Sequence, residues 1–290
     1  MVAYPLPPER SGKPAPPEIA ERRLVMAAAV ASGTWRIGAP QQTVILNGVR
    51  VLRVSPADRP ARGTVLHLHG GGFRIGCAEM SAPFAAALAA RCGVEVVCPD
   101  YRLAPEHPFP AGLVDAYRAM RALQEEGESP LILSGDSAGG GLAAGLAAIC
   151  VAEAKPPAAL ILLSPWLDLT VTSRSYDEHA ANDPLFSRAE AAKAAALYLQ
   201  GTSPQHPLAS PQFGAVKGFP PTLIGVGREE VLWGDAQAFH AKLAAAGVDA
   251  QLHAVAGMQH VAVTRSFSLP GAAETFEAVA AFVDRVIDAH

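Results

Sequence analysis

Cysteine is scarce in this chain. Its four residues, Cys77, Cys92, Cys98 and Cys150, stand far apart with no C-x-x-C pair. That spacing indicates neither a zinc site nor a redox motif, and buried free thiols are the simplest reading. Long apolar runs are missing as well: no stretch of about 18 apolar residues is present to span a bilayer. The N-terminus, with Pro5, Pro7, Pro8, Glu9, Arg10 and Lys13, lacks the apolar segment of a signal peptide, so cytoplasmic residence with no membrane partner is expected. A basic excess is absent too. The formal net charge of -4 offers no stripe for phosphates, which argues against nucleic acid as a partner. No internal repeat or low-complexity tract breaks the chain beyond a general alanine bias.

What is present is a chain of 290 residues, half of them hydrophobic. That is enough to bury a large core and suits one α/β domain with an embellishment. Proline-rich residues lead into a helical stretch at 19–31, read as an N-terminal arm. The Asn47-Gly48 dipeptide marks a hairpin over about 43–56. Apolar runs at 63–68, 94–98, 131–134, 159–163, 222–226 and 251–255 alternate with helical spacing near 81–92, 112–126, 138–153, 235–246 and 272–288. Such alternation predicts a mainly parallel sheet covered on both faces, with functional groups at the carboxyl ends of its strands. Between 166 and 219 the rhythm fails. That segment, with one helix at 187–199, is expected to form a cap. The chain thus divides into an arm at 1–42 contributing to the cap, a core at 43–165 and 220–290, and a cap insertion at 166–219.

Gly135-Asp136-Ser137-Ala138-Gly139 follows an apolar run and opens a glycine-rich helix. A nucleophilic serine at a strand-to-helix elbow needs that context, so Ser137 is the candidate nucleophile. The bare pattern would arise by chance in roughly one such chain in ten, so its partners must decide. His69-Gly70-Gly71-Gly72-Phe73, directly after the strand at 64–68, is the rarer signal. Its glycines leave amide hydrogens uncovered for an oxygen that becomes negative in a tetrahedral intermediate, with the Ala138 amide as a further donor. A connecting turn or a weak phosphate cradle is the competing reading, but no G-x-G-x-x-G or Walker lysine accompanies the loop.

A serine hydroxyl needs an imidazole to take its proton. Of nine histidines, His260 alone falls late in the chain in a loop after a strand. His67 and His69 share a two-residue spacing that hints at a metal pair, but no third ligand is apparent and no metal is expected. The carboxylate partner belongs after the penultimate strand, where Glu229, Glu230 and Asp235 are candidates. We assign Glu230, and read Glu229 and Asp235 as the solvated first turn of the next helix.

Together these motifs resemble the bacterial hormone-sensitive-lipase family of α/β-hydrolases. The likeness extends through Asp100-Tyr101-Arg102-Leu103-Ala104-Pro105-Glu106-His107-Pro108-Phe109-Pro110-Ala111, Ser164-Pro165-Trp166-Leu167-Asp168-Leu169-Thr170, and Glu230-Val231-Leu232 before His260-Val261. The resemblance implies an α/β-hydrolase fold: a mostly parallel eight-stranded sheet, helices on both faces and a small helical cap. It implies a Ser137, His260, Glu230 triad, with oxyanion donors at Gly71, Gly72 and Ala138. Aspartate is commoner than glutamate at the acid position in that family. The 101–111 segment is expected to be a rigid support below the oxyanion loop, held through Asp100 or Glu106. The implied activity is hydrolysis of small-molecule carboxylic esters with short to medium acyl chains and no cofactor. Lactone hydrolysis with the same triad, and a non-catalytic ligand-binding role on this fold, are the alternatives. Phe73, Trp166, Leu185 and Phe186 are candidate pocket walls. Members of the family often pair through the last strand and neighbouring helix, which allows a homodimer.

Overall fold

A computed structural model describes residues 5–127 and 129–290; the first four residues of the expected arm lie outside the described residues. Helix α1 (Pro17–Ser32) opens with proline and ends at Gly33 in the left-handed conformation, φ 76°. Asn47 and Gly48, both at positive φ, then fold β1 (Gln41–Leu46) back onto β2 (Val49–Val54). The expected hairpin is realised two residues earlier than its predicted bounds. Strand and helix then alternate: β3 (Thr64–Leu68), α2 (Ala82–Cys92), β4 (Glu95–Pro99), α3 (Ala111–Glu126), β5 (Leu131–Asp136), α4 (Ala138–Ala152) and β6 (Ala159–Leu163). Two helices, α5 (Ser175–Glu178) and α6 (Arg188–Leu199), interrupt the rhythm before β7 (Thr222–Gly227), α7 (Trp233–Ala245), β8 (Ala250–Val255), α8 (Ala262–Arg265) and α9 (Ala272–Ile287).

The eight strands lie in the order β1-β2-β4-β3-β5-β6-β7-β8. From β4 to β8 all neighbours are parallel, while β2 is antiparallel to both β1 and β4. The central strands read as unbroken apolar runs because both faces are covered. Alternation sends Leu66, Leu68, Leu133, Leu160 and Leu162 to the side of α3, α4 and α7. Val65, Ile132, Ile161 and Leu163 go to the side of α2 and α9. Each large aliphatic side chain so buried contributes roughly 1.5–3 kcal/mol. Among the described residues no helix is long and apolar enough to cross a membrane.

Residues 166–219 add helices α5 and α6 and a short 3-10 turn. Ser187 starts α6 by accepting the Glu190 amide at 3.3 Å, an S-x-x-E start legible in the sequence. Helix α1 is fastened elsewhere: Arg23 donates to the carbonyls of Arg74 and Ala104 and pairs with Glu106. Both segments thereby approach the carboxyl ends of β3, β5, β7 and β8.

Candidate active site

Strand β5 passes into α4 through one residue. Ser137 holds φ 52° and ψ -119°, a sparsely populated backbone conformation, and its amide donates to Leu163 O at 2.9 Å. The flanking glycines are required by contact: a Cβ on Gly135 would stand 2.2 Å from Gly139 O, and one on Gly139 1.9 Å from Leu68 O. The elbow therefore closes only without side chains at those positions.

His260 lies beyond β8, just before α8. Its Nε2 is 3.0 Å from Ser137 Oγ, and its Nδ1 is 2.7 Å from Glu230 Oε2. Glu230 is buried, and its other oxygen accepts the Gly227 amide at 2.6 Å and the Ser164 hydroxyl at 2.8 Å. Ser164 Oγ in turn accepts the Val261 amide at 3.1 Å. These bonds tie together the loops that follow β6, β7 and β8. Burial opposes a charged His260, but the hydrogen bond and charge of Glu230, reinforced by Asp183 and Asp136, outweigh it and raise the imidazole pKa above its ordinary value.

The neighbouring acids part company. Glu229 accepts the Gly257 amide at 2.8 Å, away from the imidazole. Asp235 is not the solvated first-turn residue expected from sequence: it is buried and accepts the amides of Leu167 and Asp168, each at 3.0 Å. Burial pushes its carboxyl up to about 7, against the pull of those amides. The Trp166–Thr170 segment needs amide acceptors where it leaves the sheet, and helix α7 supplies one.

Gly71 and Gly72 sit at φ 116° and 61°, a path open mainly to glycine. Among the described residues the amides of Gly71, Gly72 and Ala138 make no hydrogen bond, whereas that of Gly70 is engaged by Asp136 Oδ1 at 3.1 Å. Beneath this loop, Tyr101 Oη donates to His69 O at 2.7 Å and the Ala104 amide to Phe73 O at 2.8 Å. Asp100 accepts the Ala78 amide at 2.6 Å and pairs with Arg50. His67 and His69 diverge: His67 packs on Phe84 and bonds Ser134, while His69 stacks on Tyr101.

A cavity of about 530 Å³ opens over Ser137 and His260, with Gly71, Gly72, Leu185 and Phe186 in its walls. Phe73 and Trp166, expected there too, stand one layer behind it. Phe73 stacks on Tyr198 at 3.8 Å, and Trp166 is fully buried against the edge of Phe186. An aromatic next to a motif is drawn into the core as readily as into a pocket. Phe186 itself stacks on His260 at 5.8 Å.

Sequence reasoning missed Ser164 and Asp183. Asp183 is buried; Oδ1 accepts the amides of Leu185 and Phe186, and Oδ2 that of Val231, the residue after Glu230. The Asp183-Pro184 turn dipeptide was the available signal, but nothing local ties it to Glu230. Asp183, Glu230 and His260 bring ligand-capable atoms within 4.8 Å of one another. Every carboxylate oxygen of the group accepts a hydrogen bond.

Comparison with known proteins agrees with this architecture. A family model described as the alpha/beta hydrolase fold matches residues 65–264. An acetyl-hydrolase of Streptomyces hygroscopicus is 40% identical over 233 residues, covering 79% of this chain and 78% of that protein. An esterase of Acinetobacter venetianus is 36% identical over 217 residues, 73% of this chain and 71% of its own. Among solved structures, an esterase from the bacterial hormone-sensitive lipase family superposes with a TM-score of 0.88 at 34% identity, covering 95% of this chain and 93% of that one. With its doubly wound eight-stranded sheet, its strained serine elbow and these relatives, the chain belongs to the α/β-hydrolase fold family, in the bacterial hormone-sensitive-lipase group.

Proposed function

We propose that the protein hydrolyses carboxylic esters of short to medium acyl chain, with Ser137 as nucleophile, His260 as base and Glu230 as its carboxylate partner. The observation that carries this reading is the continuous line from Ser137 Oγ through the two nitrogens of His260 to Glu230, at 3.0 and 2.7 Å. Ser137 Oγ attacks the ester carbonyl as Nε2 takes its proton. Glu230 accepts a hydrogen bond from Nδ1–H without taking the proton, fixes the tautomer and stabilises the imidazolium. The tetrahedral oxygen lies toward the unengaged amides of Gly71, Gly72 and Ala138, each such donor lowering the barrier by about 2.7–4 kcal/mol. His260 then protonates the leaving alcohol. Water, deprotonated by the same nitrogen, attacks the acyl-serine and releases the acid.

Residues 166–219, with the 1–42 arm, act as a cap on a core of 43–165 and 220–290. In support, Leu185 and Phe186 from the first segment and Arg22 from the second border the cavity. A volume of about 530 Å³ suits a small ester. The relatives named esterase and acetyl-hydrolase support the same chemistry. A homodimer paired along β8, whose outer edge has no strand neighbour among the described residues, and residence in the reducing cytoplasm, consistent with four unpaired thiols, complete the reading. The test is a panel of p-nitrophenyl esters and lactones assayed with the wild type and Ser137→Ala. Hydrolysis of short esters that vanishes in the folded variant is expected; undiminished hydrolysis in that variant refutes the assignment.

A further inference from the structure

We propose that the catalytic cavity selects esters carrying a second, anionic group, a carboxylate or phosphoryl group held by Arg74 with Arg22 and Arg265 at the mouth. The inference rests on the ester-hydrolase reading above and extends it to the substrate class.

Arg74 follows the oxyanion loop directly and lines the cavity with Ser137 and His260. It is only 8% exposed, and its Nε has no hydrogen-bond partner. Its guanidinium lies against the loop: a Cβ built on Gly72 would stand 3.5 Å from both Nε and Nη2. A charged group this far from water ordinarily has close partners. The nearest carboxylate, Glu190, is 3.7 Å away, and Lys193 shares it at 3.1 Å. Burial lowers the proton affinity of Arg74, Glu190 opposes that, and the charge of Arg22 adds to it. An anion bound in the cavity relieves all of these costs.

Placement is fixed from outside the site. Arg23 donates to the Arg74 carbonyl at 2.8 Å and pairs with Glu106, so α1 is held against the loop and Arg22, one residue earlier, comes to the mouth. Arg265 borders the same cavity and donates to Gln259 Oε1 at 3.3 Å. Neither Arg22 nor Arg265 has an ion-pair partner among the described residues. Two acids also line the cavity. Glu190 is shared as above, and Asp136 is turned under the loop toward Gly70 and His67. In a chain of net charge -4, three arginines therefore line the cavity that holds the nucleophile, two of them without an ion-pair partner among the described residues. Bidentate, charge-assisted recognition of planar or tetrahedral oxyanions is the chemistry that arginine serves best.

The test compares kcat/KM within two matched pairs. Mono-p-nitrophenyl glutarate against p-nitrophenyl pentanoate places the charge on the acyl side; 2-acetoxypropanoate against 2-propyl acetate places it on the alcohol side. The wild type is expected to prefer the anionic member of at least one pair by about tenfold or more, a preference that shrinks with added salt. Arg74→Met is expected to lower kcat/KM for that anionic member by about tenfold more than for its neutral partner. Arg22→Gln and Arg265→Gln, at exposed positions, provide the same comparison if Arg74→Met does not fold. Neutral preference in both pairs, or equal losses for charged and neutral esters in all three variants, overturns the proposal while leaving ester hydrolysis in place. Absence of turnover with every ester, charged or neutral, overturns the ester reading and this proposal with it.

Discussion

Replacing Glu230 by glutamine preserves size and shape and changes one proton. The carboxylate oxygen Oε1 accepts two donors, Gly227 N-H at 2.6 Å and Ser164 O-H at 2.8 Å, while Oε2 faces His260 Nδ1 at 2.7 Å. A glutamine must place its single oxygen on one side. Turning the amide nitrogen toward Gly227 leaves a buried N-H without an acceptor, a cost of about 1–3 kcal/mol. The oxygen therefore stays with Gly227 and Ser164, and the amide nitrogen donates to Nδ1. The imidazole is then driven to carry its proton on Nε2, where it donates toward Ser137 instead of accepting from it. In serine hydrolases a wrong tautomer of this kind lowers kcat by about 10⁴-fold, equivalent to about 5 kcal/mol of barrier. Steady-state hydrolysis of p-nitrophenyl acetate, with circular dichroism to verify folding, reads the effect. Glu229→Gln, which removes only a charge near Gly257, is expected to cost less than about tenfold, as a change away from the reacting groups. A Glu230→Gln enzyme that keeps a tenth of wild-type kcat, or a larger loss in Glu229→Gln, would refute this account of the acid.

The raised pKa of His260 sets a direction in pH: kcat/KM should climb as the imidazole loses its proton, with a midpoint above the ordinary histidine value of about 6.5, and then level off. Asp183→Asn removes one of the anions that favour the imidazolium, so that midpoint should move to lower pH; an unmoved or raised midpoint counts against the contribution of Asp183. Asp235 binds its proton more tightly when folded than when unfolded, so its contribution to stability is full at low pH and is lost as pH rises through about 7. Asp235→Asn, which keeps an acceptor for Leu167 and Asp168, should accordingly raise Tm more at pH 8.5 than at pH 5.5, and equal shifts would contradict the burial argument. Gly139→Ala drives a methyl to 1.9 Å from the Leu68 carbonyl, and urea titration should show a loss of at least about 2 kcal/mol.

Much of this molecule is written in short-range patterns. Unbroken apolar runs such as Leu160-Ile161-Leu162-Leu163 identify strands buried on both faces, and the bounds expected for β5, β6 and α4 fall within two residues of those observed. Ser137 and His260, which the fold brings within 3.0 Å of each other, were legible as candidates because a serine at an elbow and a histidine after the last strand each have a local signature. Trp166 and Phe73 were not: their neighbours in sequence place them beside motifs, but only packing against Phe186 and Tyr198 puts them behind the cavity wall.

The sequence by itself determined the order and type of elements, the serine elbow, the glycine loop and the place of His260 after the last strand, because each depends on a few adjacent residues obeying strand, turn or helix geometry. Only the tertiary structure decided that Asp183 lies beside Glu230 and His260 and that Asp235 is buried. It alone joined Arg22, Arg74 and Arg265 around one cavity. Those outcomes depend on side chains tens or hundreds of positions apart meeting in low dielectric, where position in space, not position in the chain, sets charge, protonation and hydrogen bonding.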